Sequence, residues 1–263
     1  MILSIGENAL DRLSTIKARL GEPPREVRDA LSRHGALRAG INMSNFLLVS
    51  ARDADGGPAG VSPDMAALLA HCLDLPLVKI PYASPGLVAD AAERDEWDVA
   101  LLGAEPQRAA VIDFTAAYSE IEATYLVPAG STLQDVSEVD RPGRRIAVAA
   151  RTAYGLWLER NITQAELVPG EGFDAAFALF ETQKLDALAG LRPKLIEDEK
   201  ALPGSRMLPG RFMAVQQAIG VPKISGPALS YLDRLVSVAI ETGFVGDLIA
   251  RHGVVGLSVR GVS

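Results

Sequence analysis

Arg108 is the residue in this chain best equipped to hold a small anion. It stands in Pro106-Gln107-Arg108-Ala109, shortly before Ile112-Asp113-Phe114-Thr115. A guanidinium presents a planar fork of donors that fits a carboxylate and keeps its charge when buried. A surface arginine or a structural ion pair is the blander alternative. Thr152 offers a second anion-binding chemistry, because it opens the helical run Tyr154 to Arg160. Free N–H groups and the helix dipole favour negative charge there, although a plain N-cap would look the same. Tyr154, just inside that helix, faces either a cleft or the core. Asn42 ends the apolar run Leu37 to Asn42, and Asn45 follows it. Strand ends are where open α/β sheets present ligand groups. Glu122 lies in the otherwise apolar Ile121-Glu122-Ala123-Thr124-Tyr125. It either binds a cationic ligand group or pairs with an arginine. Arg211, Gln216 and Gln217 precede the apolar Ala218 to Val221. Neighbours in a strand point to opposite faces, so one of the two glutamines is expected to face a site.

Other chemistries lack their parts. His34, His71 and His252 have no partners at metal-ligand spacing. No Gly-x-Gly-x-x-Gly or Gly-x-Ser-x-Gly occurs, and Gly170-Glu171-Gly172 is a lone turn signal. Ser14-Thr15-Ile16-Lys17 matches Ser-x-x-Lys, but its companion motifs are missing. No cofactor or metal is expected.

The elements that must position these residues form an α/β series. Leu37–Asn42 reads as a strand, and Ser62 and Pro63 as the N-cap and first position of a helix. Leu75–Ile80 reads as a strand, Gly86–Arg94 as a helix and Val99–Leu102 as a strand. The order repeats: strand Arg145–Ala149, helix Tyr154–Arg160, strand Leu167–Val168, helix Phe173–Thr182, strand Leu185–Ala189. Trp97-Asp98-Val99-Ala100 is echoed by Leu185-Asp186-Ala187-Leu188 at the same place in each half, which suggests two similar lobes. Tyr125–Ser131 and Ala218–Lys223 are extended, apolar, and carry Pro or Gly, as hinge strands would. Pro227–Arg251 reads as one amphipathic helix, with Leu229, Leu232, Leu235, Val236 and Ala239 on one face. Residues 1–35 stand apart. Leu10, Leu13, Ile16, Ala18 and Leu20 recur near helical spacing, Gly21-Glu22-Pro23-Pro24 breaks the run, and Val27–Leu31 starts a second helix.

The bulk numbers limit the partners. The chain has 263 residues, 48% hydrophobic and 22% charged, with a net charge of −7. Acidity disfavours nucleic acid and anionic membranes, and aromatics at 5% leave little for base stacking. No apolar run is long enough to span a bilayer. The single Cys72, in an apolar helical run, reads as a buried thiol. Met1–Glu7 shows neither a basic n-region nor a long apolar h-region. As written the chain reads as cytoplasmic, or as periplasmic if a leader was removed.

Four stretches, in this order and spacing, resemble family 3 of the bacterial extracellular solute-binding proteins over roughly residues 36–255. They are Leu37–Asn42 with Asp53–Gly57 and Gly60–Ala66; Trp97–Ala100; Pro106–Ala109 with Ile112–Thr115 and Tyr118; and Gly143–Val148 leading to Thr152. The resemblance implies an α/β type II periplasmic-binding-protein fold: two Rossmann-like lobes joined by two hinge strands and closing on a ligand. Lobe 1 is expected at 36–126 plus 222–263, lobe 2 at 127–221, with the helical extension at 1–35. In the family an arginine matching Arg108 grips the ligand carboxylate, and the turn at Thr152 helps. Three departures stand out. The aspartate that binds an amino-acid ammonium is matched by Gly190, the Thr-rich stretch before the arginine is shortened to Gly103-Ala104-Glu105-Pro106, and the flanking aromatics fall at Asn45 and Ser84. These departures argue against an ordinary α-amino acid.

The leading expectation is a monomeric, non-enzymatic solute-binding protein of an ABC importer that delivers a small carboxylate to a permease. Two alternatives use the same fold. One is a cytoplasmic sensor, with residues 1–35 as a partner helix or, more blandly, a packed arm. The other is an enzyme like the cyclohexadienyl and arogenate dehydratases, with Glu122 and Arg108 as its cleft groups.

Overall fold

A computed structural model describes residues 7–261, with side chains from residue 11. Met1 to Gly6 and the side chain of Leu10 therefore lie outside the described residues. Helices α1 (Glu7–Leu20) and α2 (Arg25–Leu31) come first. Then follow β1 (Leu37–Asn42), a small hairpin of β2 (Ala51–Arg52) and β3 (Pro58–Ala59), α3 (Val61–Leu73), β4 (Leu77–Tyr82), α4 (Pro85–Asp90), β5 (Val99–Gly103) and β6 (Ile112–Phe114). Strand β7 (Ser119–Val127) leads to β8 (Arg145–Ala149), α5 (Ala153–Asn161), β9 (Glu166–Gly170), α6 (Phe173–Thr182), β10 (Ala187–Leu191), α7 (Arg192–Ala201) and β11 (Arg206–Met207). Strand β12 (Met213–Pro222) then leads to α8 (Leu229–Glu241), α9 (Phe244–Arg251) and β13 (Ser258–Val259).

The chain makes two compact units. One holds the described residues up to Glu120 and those from Gln216 onward; the other is Ile121–Val215. The chain crosses from one to the other inside β7 and inside β12.

Each unit has the same strand plan. In the first, β1 is central, with β4 parallel on one side, β5 parallel on the other, and β12 antiparallel beyond β5. In the second, β8 is central, with β9 and β10 parallel beside it and β7 antiparallel beyond β10. The motif echo has a physical cause. Asp98 Oδ2 accepts the backbone N–H of Arg38 at 2.9 Å, while the Asp98 N–H donates to the Arg38 carbonyl. Asp186 Oδ2 accepts the N–H of Arg145 at 2.9 Å, while its own N–H donates to the Arg145 carbonyl. Each aspartate thus fastens the start of its strand to the start of the central strand.

The helices of the first unit include the N-terminal pair. Leu13, Ile16, Leu20, Val27 and Leu31 are buried, whereas Ala18 is exposed. Arg12 donates to the Thr242 carbonyl, and Arg234 donates to the Arg19 carbonyl. This is the packed arm, held to α8 and the residues after it by apolar burial.

Several boundaries differ from the sequence reading. Helix α3 starts at Val61 with Gly60 as its N-cap at φ 146°. A Cβ on Gly60 would lie 2.4 Å from the Leu48 carbonyl oxygen, so only glycine fits there. Ser62 is therefore inside the helix, where its hydroxyl meets that of Tyr118 at 3.0 Å. The expected single tail helix is two helices, broken at Gly243 in the left-handed region, φ 74°. Helix α7, from Arg192, is additional to the elements expected from sequence; Pro193 in its first turn is compatible with a helix start. Cys72 is fully buried, and burial pushes its thiol up to about 12. No described helix is long and apolar enough to cross a membrane.

Candidate functional site

In the first unit, the expected residues gather at the C-terminal ends of β1 and β5. The carbonyl of Gly103, last residue of β5, accepts a 2.6 Å hydrogen bond from Arg108 Nη1. Gly103 is also the register partner of Gln217 in β12. The sheet thus brings Arg108 and Gln217 to the same residue, although they are far apart in the chain. Arg108 is 4% exposed and Gln217 2% exposed. A 3₁₀ turn over Arg108–Ala110 holds the arginine, with the Ala109 N–H on the Glu105 carbonyl at 3.1 Å.

Asn42 and Asn45 behave differently. Asn42 Oδ1 accepts the N–H of Ser44 at 3.2 Å and its hydroxyl at 2.8 Å. That oxygen is committed to an Asx turn that shapes the loop after β1. Asn45 Oδ1, Gln217 Oε1 and Ser119 Oγ are buried with no hydrogen-bond partner. Buried polar atoms in native proteins nearly always have partners, so each asks for an explanation. Gln216, by contrast, is engaged: its Nε2 donates to Glu120 Oε2 at 3.0 Å, and its Oε1 accepts from Arg260 at 2.7 Å.

In the second unit, Thr152 caps α5. Its Oγ1 accepts the N–H of Gly155 at 3.0 Å and donates to the Ala149 carbonyl at 2.8 Å. Gly155 is needed there, since a Cβ would lie 2.8 Å from that same carbonyl oxygen. Arg151, just before the cap, sits in the left-handed region at φ 58°, a conformation glycine adopts more easily. Tyr154, in the first turn of α5, is 2% exposed. Burial raises its phenol above the ordinary range, against smaller opposing contributions from Thr152 and Ala149.

Glu122 is held by two arginines of its own unit: Arg192 Nε donates at 2.7 Å and Arg211 Nη1 at 3.3 Å. Both contacts are ion pairs within the second unit. Arg211, half-exposed, serves that pair. At the end of β10, a Cβ on Gly190 would lie 2.8 Å from Leu195 Cδ2, and Leu195 is buried. Neither Gly190 nor the following Leu191 supplies a carboxylate.

One cluster among the described residues has metal-ligating atoms close together: His34, Asp95 and Asp98. Its carboxylates already face arginines. Arg38 bridges Asp95 and Asp98 at 2.8 Å each, and Arg33 reaches Asp95 at 2.8 Å. This is an ion-pair network at the start of β1 and β5, at the opposite end of those strands from Arg108.

The family model of bacterial extracellular solute-binding proteins, family 3, matches residues 37–195. The chain belongs to this family. No match was found among curated proteins. Among solved structures, a mutant of ArgBP from T. maritima is similar at 18% identity and TM-score 0.68, over 86% of this chain and 99% of that one. An amino acid ABC transporter substrate-binding protein from Streptococcus pneumoniae, bound to L-arginine, is similar at 17% identity and TM-score 0.68, over 85% of this chain and 97% of that one. An ancestral amino acid-binding protein, described as a precursor of cyclohexadienyl dehydratase, is similar at 18% identity and TM-score 0.67, over 85% of this chain and 98% of that one. At these identities the likeness shows the fold, which is that of type II periplasmic binding proteins.

As a family 3 solute-binding protein, the chain is a binder of small molecules. The residues that spacing did not single out are Ser119, Arg192 and Glu105. Glu105 is 4% exposed, and its Oε2 accepts the Gln107 N–H at 2.7 Å. Its signal was the shortened loop after β5, where it precedes Arg108 by one helical turn. Arg192 carried no signal, because it lies 70 residues from Glu122.

Proposed function

We propose that this solute-binding protein captures a small polar carboxylate outside the cytoplasm and hands it to an ABC permease, and that the ligand is not a standard α-amino acid. Arg108 carries the reading. It is a buried guanidinium at the C-terminal end of a parallel strand, where α/β folds present ligand groups. In the second unit, Thr152 and the N-terminus of α5 are the candidate anion group. Asn45 and Gln217 supply neutral amides, while Asn42, Glu122 and Arg211 act in support through their own intramolecular bonds. Against an α-amino acid stands the end of β10, where Leu195 fills the space beside Gly190. The glutamate a dehydratase would call upon, Glu122, is already bridged by Arg192 and Arg211, so binding without turnover is the proposed role.

The test is a thermal-shift screen against carboxylates, amides, polyamines and amino acids, with Arg108→Ala beside wild type. A ligand at a hundred times its dissociation constant adds about 2.7 kcal/mol of stability. A carboxylate should shift wild type, and the variant should bind it about a hundredfold more weakly. A ligand that stabilises both proteins equally would remove Arg108 from the site.

A further inference from the structure

We infer that the first unit reads a neutral hydrogen-bond donor on the ligand, through Gln217 and Asn45, so that the ligand is a hydroxy- or amide-bearing carboxylate. This rests on the carboxylate reading of Arg108.

The internal duplication supplies the argument. Register fixes which residues correspond. Gln217 opposes Gly103, the last residue of β5, and Ala123 opposes Leu191, the last residue of β10. The same place in the two units therefore holds a buried glutamine in one and a buried alanine in the other. The strand plan does not need a polar side chain there. Gln217 keeps a buried, unpartnered Oε1 that its counterpart lacks.

Asn45 has the same history. Arg38 and Arg145 are equivalent through their aspartates. Counting forward, Asn42 corresponds to Ala149 and Asn45 to Thr152. Both Asn45 and Thr152 head a turn: the Val49 N–H lies on the Asn45 carbonyl at 2.9 Å, and the Leu156 N–H on the Thr152 carbonyl at 2.9 Å. Thr152 also spends its side chain on the Gly155 N–H. Asn45 does not, because the corresponding Leu48 N–H goes to the Asn45 backbone carbonyl at 3.0 Å. Its side-chain oxygen is left buried and unpartnered.

Two neutral acceptors at one sheet end, beside a buried arginine, complement a carboxylate that carries a hydroxyl or an amide N–H. A site built to hydrogen-bond such a group discriminates strongly against the analogue lacking it, because its polar atoms are then left unpaired. An ammonium would ask instead for a charged partner; the carboxylate in the same loop, Glu105, already accepts the Gln107 N–H at 2.7 Å.

The experiment uses the full chain and measures ligand-free melting and ligand affinity for wild type, Gln217→Met and Asn45→Leu. The probes are matched sets differing in one group: lactate, propionate and alanine; malate, succinate and aspartate; and succinamate beside succinate. The expected result is that hydroxy or amide members bind at least tenfold better than their plain counterparts. Gln217→Met should erase that preference while raising ligand-free melting by about 2 °C, because an unsatisfied buried acceptor is removed. Asn45→Leu should reduce the preference without lowering ligand-free melting. A fall in melting for Gln217→Met would show a structural glutamine and overturn the inference. Equal binding of plain and hydroxy acids would overturn it while leaving the carboxylate reading intact. A preference for the amino members would also overturn it, with Glu105 as the alternative partner. No shift by any acid would overturn the carboxylate reading itself, and this inference with it.

Discussion

The two units are copies in their scaffold and strangers at their strand ends. Asp98 and Asp186 tie matching strands in the same way. Their cores differ by an exchange of volume. Before Asp98 stands Trp97, fully buried, whose ring packs on Gly40; a Cβ there would lie 3.2 Å from it. Before Asp186 stands Leu185, and the position matching Gly40 is Ala147. A large residue faces the smallest in the first unit, and the matching positions of the second hold a medium residue and a small one, the kind of exchange that close packing favours. At the strand ends no such compensation exists. The first unit offers Arg108, Gln217 and Asn45, whereas the second offers a capped helix N-terminus and Ala123. Where duplicated elements agree, the fold requires them; where they disagree without compensation, the ligand is the better explanation.

The aspartate ties allow the largest test. Asp98 is fully buried and faces Arg38 through several hydrogen bonds, whereas the Asp186 side chain is 26% exposed. Removing one partner of a buried pair strands the other, so Asp98→Ala should cost about 3 kcal/mol in urea unfolding. Asp186→Ala, better solvated, should cost about 1 kcal/mol. Equal losses would mean that burial does not distinguish the two ties.

The volume exchange predicts a smaller, coupled effect. Gly40→Ala should destabilise by about 1 to 2 kcal/mol, because the Trp97 ring must give way. In a Trp97→Leu background the same change should cost close to nothing, since that pair reproduces Leu185 and Ala147. A double-mutant cycle measures the difference; strict additivity would break the comparison.

How much of this was legible depended on the range of the interactions. Strands β1 and β8 and helix α6 have the bounds expected from sequence, because each is a compact apolar or amphipathic run between turn signals. Ser62-Pro63 misled because the conformation of Gly60, pressed against the Leu48 carbonyl, overrides the local capping preference. The tail was read through Gly243 because its apolar face continues beyond the break. At the candidate site, residue type was readable and partnership was not. Arg108 could be chosen for its chemistry, but that it and Gln217 share Gly103 is a matter of register between distant strands. For Glu122, the partners in its own unit are Arg192 and Arg211, which no local pattern connects to it.

The smallest expected difference between the units is in acid, and it comes from Asp140. Partial burial alone would raise the pKa of this carboxyl. The N–H groups of Ala165, Thr163 and Gln164, with the Thr163 hydroxyl, outweigh burial and lower it to about 2. The group fixes the turn before β9 in the second unit. Because the folded pKa lies below the unfolded one, the stabilisation is fully present above about pH 4. It fades as the pH falls from there toward 2, as the folded carboxyl takes up its proton. Its size should be about 1 kcal/mol or less, since the site is close to solvent. Asp140→Ala should therefore be less stable than wild type at pH 7 and converge on it near pH 2. Hydrogen exchange should place the pH 7 loss in β8 and β9 rather than in β1 and β4. A gap between the two proteins that stays constant down to pH 2 would show that Asp140 holds its turn by packing rather than by charge.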